Sequence, residues 1–285
     1  MNTYRNRWFK ASLFLLLFSI IAGLSISFFH KQFDKPKVSI ITSVWNGDAF
    51  IEGFLADVTK QTIFDQCELI LINANSPGNE EPVIKKYMEK HPNIIYIKLD
   101  KDPGIYAVWN QAINLSKSDF ITNANLDDRS RFDAYDLLSK ELENDHAVDL
   151  VYGGFITTKF PNENMENYHC NSVVNATPFS MENMRFCLPG PRPMWRKSMH
   201  DKYGFFDETF TSSGDMAMWL RATMLGSTFK KVDGYFTLFY INPEGMSTQE
   251  IHSRRAKLRK LEDLLLILKY PQIWKDEPYI SFNGH

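Results

Sequence analysis

The stretch FITNANLDD, Phe120 to Asp128, runs from a short apolar segment directly into two adjacent carboxylates, Asp127 and Asp128. Like charges this close repel, and desolvating either one without a partner costs several kcal/mol. A buried strand that ends this way requires positive charge at its lip. The simpler alternative is a solvated pair, or a cap that Asp128 or Ser130 supplies to the next helix.

Outward from that stretch the pattern alternates. Val38 to Val44 (VSIITSV) and Glu68 to Asn73 (ELILIN) are continuous apolar runs, as expected of strands buried on both faces. Ile94 to Lys98 and Leu150 to Thr158 read as further strands. Helical segments are expected near Phe50 to Thr59, Pro82 to Lys90, Ile105 to Leu115 and Phe132 to Asn144. In the third of these, Ile105, Val108, Ala112 and Leu115 recur at spacings of three and four. Strands alternating with helices predict an α/β fold, a mostly parallel central sheet with helices on both faces. Ligands of such sheets gather beyond the carboxyl ends of the strands. Asn46, Asn73, Asn75 and the Asp127-Asp128 pair all fall at ends of that kind.

The second half is less regular. Pro161 to Pro193 has no clean period, Asp215 to Leu225 is expected to be helical, and Thr228 to Val232 a short strand. Leu258, Leu261, Leu265 and Leu268 share one helix face behind a cluster of Arg and Lys, which predicts a packed helix with its charged face in solvent.

Composition excludes several classes. Among 285 residues the net charge is −2, so the basic excess of nucleic-acid binders is missing and no nucleic-acid partner is expected. The 3 cysteines have no metal-type spacing. The chain carries neither common nucleotide-binding glycine fingerprint, no G-x-S-x-G elbow and no H-x-x-x-H pair. Ala11 to Phe29 is uncharged and holds 12 Leu, Ile or Phe residues. Those contribute very roughly −4 to −7 kcal/mol toward insertion, and no A-x-A-like cleavage site follows the run. A transmembrane helix over 11–29 is therefore expected, making the protein a single-pass membrane protein with an N-terminal anchor. Lys and Arg are nearly balanced across that segment, so the side of the membrane stays open.

Six blocks of sequence, in order, resemble the family 2 inverting glycosyltransferases of the GT-A (Rossmann-like) fold. They are Lys37 to Thr62, Asp102 to Asn114 (DPGIYAVWNQAIN), Asn125 to Asp128 (NLDD, a D-x-D-D variant), Tyr203 to Glu208, Gly214 to Arg221 (GDMAMWLR) and Gly245 to Thr248. The charges around the apolar run mark a basic tail over 1–10 and a linker over 30–36, and the leucine periodicity marks 249–285 as a helical extension. The resemblance implies a catalytic domain over 37–248, with 37–158 the nucleotide-binding half and 159–248 the acceptor half. It further implies a nucleotide-sugar donor, a UDP-sugar favoured, and a glycan, lipid-linked or protein acceptor. Mn²⁺ or Mg²⁺ would be held by Asp128 first, with Asp127 sharing the metal or contacting the ribose. The donor would meet Thr42, Val44, Asn46, Asn73, Asn75 and Gly104. Asp215 would be the general base, and Trp219 and Met218 would line the acceptor side or simply pack. The chain departs from the family pattern at Ala74, where an acid is usual, and at Trp109, where an arginine is usual. Those departures make an inactive sugar-nucleotide binder or a tethered scaffold the alternative reading.

Overall fold

The computed structural model describes residues 35–246, 248 and 253–274, and the chain from Lys37 onward forms one compact unit. The segment 11–29 lies outside the described residues. Among the described residues no helix is long and apolar enough to cross a membrane. The longest, Arg254–Lys269, has 16 residues and is studded with Arg and Lys, whereas a span needs about 20 predominantly apolar ones. The expected single-pass membrane localisation is therefore corrected.

Four parallel strands build the first half: β1 (Val38–Val44), β2 (Cys67–Asn73), β3 (Ile94–Lys98) and β4 (Phe120–Asn123), in spatial order β3-β2-β1-β4. Nearly every residue of β1, β2 and β4 is buried, since helices cover both faces. These helices are α1 (Ile51–Val58), α2 (Glu81–Met88) and α3 (Ile105–Leu115). α4 (Ala134–Asn144) follows the short strand β5 (Arg129–Ser130).

The rest of the sheet corrects the expectation of mostly parallel pairing. β6 (Leu150–Thr158), β7 (Ser172–Val174), β8 (Met194–Arg196) and β9 (Phe229–Tyr240) extend it to nine strands. β8 pairs antiparallel with both β4 and β6, β7 antiparallel with β6, and β5 antiparallel with β9. Only β6 and β9 pair in parallel here. The reason is local: the chain enters β8 from the irregular segment after β7, with no crossover helix of the kind parallel neighbours need. β9 is 12 residues long where a short strand was expected, because pairing with β6 resumes beyond Asp233 and Gly234 through a bulged register and runs on to Tyr240.

Two short or C-terminal helices complete the frame around α6 (Gly214–Met224). α5 (Met199–Tyr203) sits ahead of it, and α7 (Arg254–Lys269) follows β9. Buried Leu266, Tyr270, Ile273 and Trp274 join α7 and the turn after it to the larger of the two core clusters. The leucine stripe expected to pack does the opposite: Leu261, Leu265 and Leu268 are exposed, the last at 76%. The helix is turned so that Glu262 and Asp263 reach the loop before α6, and Leu266 goes inward.

Candidate active site

One cavity of about 1820 Å³ lies beyond the carboxyl ends of β1 and β4. β1 is flanked by β2 on one side and β4 on the other, so the strand order reverses there and leaves the crevice where α/β sheets bind ligands. Trp45 and Asn46 from the end of β1, Asp127 from the loop after β4, and Asp215 and Trp219 from α6 all line it.

Asp127 and Asp128 are adjacent, but their environments differ. Asp127 lines the cavity, and its Oδ2 accepts a hydrogen bond from Asn242 Nδ2 at 2.9 Å. Asp128 is 1% exposed and does not line the cavity. Its Oδ1 accepts the backbone N–H of Tyr240 at 3.1 Å and its Oδ2 accepts Asn125 Nδ2 at 3.3 Å. Burial, and then the charge of Asp127, push the Asp128 carboxyl up to about 7, while Arg192 and the two hydrogen bonds oppose the rise. The positive charge required beneath the pair is supplied by the protein itself. Arg129, 2% exposed, donates to the carbonyls of Leu126 and Asp128 at 2.8 and 2.7 Å. Arg192, also buried, donates to Tyr135 Oη at 2.9 Å. Gly53 in α1 makes room for Arg129, since a Cβ there would stand 2.5 Å from the guanidinium.

Asp215 is the second residue of α6 and not its N-cap, a position held by Ser213. Asp215 Oδ1 accepts the N–H of Met216 at 2.8 Å and lies 3.4 Å from Tyr106 Oη. Burial raises this carboxyl above the ordinary aspartate range, against the pull of the Met216 N–H and the Tyr106 hydroxyl. Tyr106 belongs to α3, whose start is set by Gly104: its φ of 93° is open to glycine, and its N–H donates to Asp102 Oδ1 at 2.8 Å.

Of the other expected site residues the structure gathers only some. Thr42 and Val44 are buried in β1 and do not line the cavity; their neighbours Ser43 and Trp45 do. The alternation of a strand explains the exchange. Asn73 is buried and turned sideways, donating to Tyr96 Oη at 3.1 Å and accepting Ser76 N–H at 2.7 Å. Asn75 and Gly104 stand outside the lining, while Ala74, Asp102 and Ile105 belong to it. Met218 is fully buried in the core. Trp219 does line the cavity, and Trp109 beside it packs edge-on against Phe206 at 5.4 Å between ring centroids. Three contributors were not foreseen. Glu80, wholly buried, accepts Gly47 N–H at 2.6 Å and Ser76 Oγ–H at 2.7 Å, and so shapes the turn that carries Asn46. Arg255 and Arg259 of α7 also line the cavity. No sequence period marks a lone buried Glu or a helix that returns from far along the chain.

Among the described residues no cluster of three or more His, Cys, Asp or Glu could cage a metal. Asp127 alone of the pair faces the cavity, which fits a hard cation held by one carboxylate together with substrate phosphates. It does not fit an all-protein cage.

The family model described as glycosyl transferase family 2 matches residues 39–212. The uncharacterized glycosyltransferase YwdF of Bacillus subtilis is 26% identical over 188 residues, 65% of this chain and 68% of that protein. The uncharacterized glycosyltransferase MJ1057 of Methanocaldococcus jannaschii is 26% identical over 122 residues, and the match spans only 42% of its length. S. aureus TarS 1-349 in complex with UDP-GlcNAc superposes with a TM-score of 0.64 at 15% identity, covering 81% of this chain and 66% of that one. Mannosyltransferase PcManGT from Pyrobaculum calidifontis, in complex with GDP-Man and Mn²⁺, gives 0.60 at 13% identity, covering 87% and 66%. At those identities the structures attest the fold alone.

Proposed function

The chain belongs to glycosyl transferase family 2, and from that premise we propose that it moves a sugar from a nucleotide-sugar donor to an acceptor hydroxyl with inversion. The observation that carries this reading is that Asp127 and Asp215, from separate halves of the fold, line one cavity at the strand-order reversal. The nucleoside lies over the end of β1 near Asn46, and the diphosphate near Asp127. A UDP-sugar is the favoured donor, supported by the UDP-GlcNAc complex of TarS. Asp127 would hold Mn²⁺ or Mg²⁺ together with the donor, and the cation would supply Lewis-acid stabilisation of the charge that develops on the leaving diphosphate.

The residues of the chain then do three things. Asp215 takes the proton of the acceptor hydroxyl, whose oxygen forms a bond to the anomeric carbon as the bond to the diphosphate oxygen breaks. The nucleoside diphosphate leaves from the opposite face, which inverts the centre. Tyr106 and the Met216 N–H keep the Asp215 carboxylate aimed into the cavity, and burial keeps it basic enough to accept that proton. Trp219 offers an apolar wall to the acceptor.

A second reading, donor binding without turnover, is favoured by Ala74 and Trp109, which line the cavity in place of polar groups. One experiment separates the two: binding and turnover of UDP-, GDP- and dTDP-sugars, with and without Mn²⁺, by wild type, Asp127→Asn and Asp215→Asn. Cation-dependent binding of one donor that Asp127→Asn loses, with turnover that Asp215→Asn loses, is the expected result. Binding with no turnover supports the second reading, and no binding by folded protein defeats both.

A further inference from the structure

The loop Thr211–Ser213 that delivers Asp215 is held by a residue about fifty positions away, on a helix beyond the matched family region. Four donors converge on the Glu262 carboxylate. Thr211 N–H and Thr211 Oγ1–H reach Oε1 at 2.6 and 2.7 Å, and Ser212 N–H and Ser213 N–H reach Oε2 at 2.9 and 2.8 Å. The neighbouring Asp263 takes the Ser213 hydroxyl at 2.6 Å. Ser213 occupies the N-cap of α6 but makes no cap bond with its side chain, so the ordinary local cap is replaced by carboxylates from α7. An anion at that place also faces the positive end of the α6 dipole.

The grip continues to the base. The Ser212 carbonyl, whose peptide plane is fixed through the Ser213 N–H, accepts the Tyr106 hydroxyl at 2.6 Å, and that hydroxyl lies 3.4 Å from Asp215 Oδ1. We propose that Glu262 is a positioning residue for the base Asp215, acting through the 211–213 loop and the Tyr106 hydroxyl. This rests on the reading of Asp215 as base. The other titratable or charged groups around Asp215 are Arg259 and Asp263 of α7, Tyr106 of α3 and Cys187, and the substitution below leaves all four in place.

Glu262→Gln keeps the shape of the side chain but replaces one of its two accepting oxygens with an amide donor, which breaks one of the two pairs of hydrogen bonds. In the full chain, kcat is expected to fall about 10- to 100-fold, the usual cost of a catalytic group displaced by about 1 Å. Donor KM and UDP affinity by calorimetry stay within about twofold. The acid limb of the kcat–pH profile moves to lower pH: the single Tyr106 proton, no longer held by the Ser212 carbonyl, turns to Asp215, and the loss of the Glu262 charge also favours the ionised carboxylate. A titration of the Asp215 carboxyl by ¹³C NMR, assigned by its loss in Asp215→Asn, reads the same shift without needing turnover. An unmoved NMR midpoint or unchanged kcat overturns the inference. So does a parallel loss of kcat and UDP affinity, which marks a residue that only supports the fold. If Asp215→Asn turns over like wild type, the base assignment has failed; if it is dead while Glu262→Gln behaves as wild type, only the inference has.

Discussion

At the scale of single residues the two acids after β4 and the acid opening α6 stand in three different surroundings, and the proposed function gives each its own expectation. Asp128→Asn retains an oxygen for the Tyr240 N–H, so it is expected to keep cation-dependent donor binding. Asp128→Ala loses that anchor and should unfold about 1–3 kcal/mol more easily in urea, the cost of leaving a buried donor unpaired. Asp127→Asn is expected to lose the cation dependence, and calorimetry with and without Mn²⁺ distinguishes all three. For Asp215 the raised carboxyl sets a sign. The folded form binds its proton more tightly than the unfolded chain, so stability falls as pH rises from the ordinary midpoint of 3.8 through the folded one. Asp215→Asn should therefore abolish turnover while leaving the thermal midpoint at neutral pH unchanged or higher. A clear drop in that midpoint would refute the account of its burial. At this scale the sequence was legible only in part. Asp127, Asp215, Asn46 and Trp219, singled out because their motifs stand in order, do line the cavity; that Asp128 does not was hidden, because two adjacent acids look alike until the backbone turns one inward.

At the scale of elements, β1 to β4 were legible nearly to the residue, since apolar runs bounded by turn residues admit few other readings. β9 was legible only at its start, because Asp233 and Gly234 look like the turn that ends a strand, and only the pairing that resumes with β6 at Tyr235 carries it on to Tyr240. The face of α7 was misjudged for a related reason: periodicity counts leucines, whereas the helix is oriented by two carboxylates that bond to a distant loop. The contact between β8 and α5 carries a prediction of its own. His200 Nε2 accepts the Trp195 indole N–H at 2.9 Å, and its Nδ1 faces the Gly204 carbonyl at 3.3 Å. A neutral ring with its proton on Nδ1 satisfies both partners, while a second proton would confront the indole donor. Burial pushes this His down to about 4. Between the unfolded value of 6.5 and that level the unfolded chain binds more protons, so stability is lost as pH falls, by roughly 3 kcal/mol in all. Urea titrations at several pH values from 7.5 to 4 should show this slope, and His200→Gln should flatten it.

At the scale of the whole molecule the C-terminal helix is inseparable from the core. Leu266, Tyr270, Ile273 and Trp274 are each at most 8% exposed. At about 1.5–3 kcal/mol per buried side chain, losing the four costs about 6–12 kcal/mol, comparable with the entire stability of a typical domain. A chain ending at Thr248 is therefore expected to be unfolded or aggregated by circular dichroism and light scattering, whereas the fragment 37–285 should melt cooperatively. A folded, cooperative 37–248 fragment would disprove that dependence.

The opposite facing of Asp127 and Asp128 also bears on which length changes the gene can tolerate. One carboxylate looks into the cavity and the next is moored to the backbone of Tyr240, so a single codon lost between Asn125 and Asp127 carries the mooring carboxylate into the cavity station. A single codon gained there carries the cavity carboxylate into the buried station over Arg129 instead. A library of single-codon deletions should return no functional clone from this short window, while the irregular segment near Asn164 to Asn171 should accept them freely.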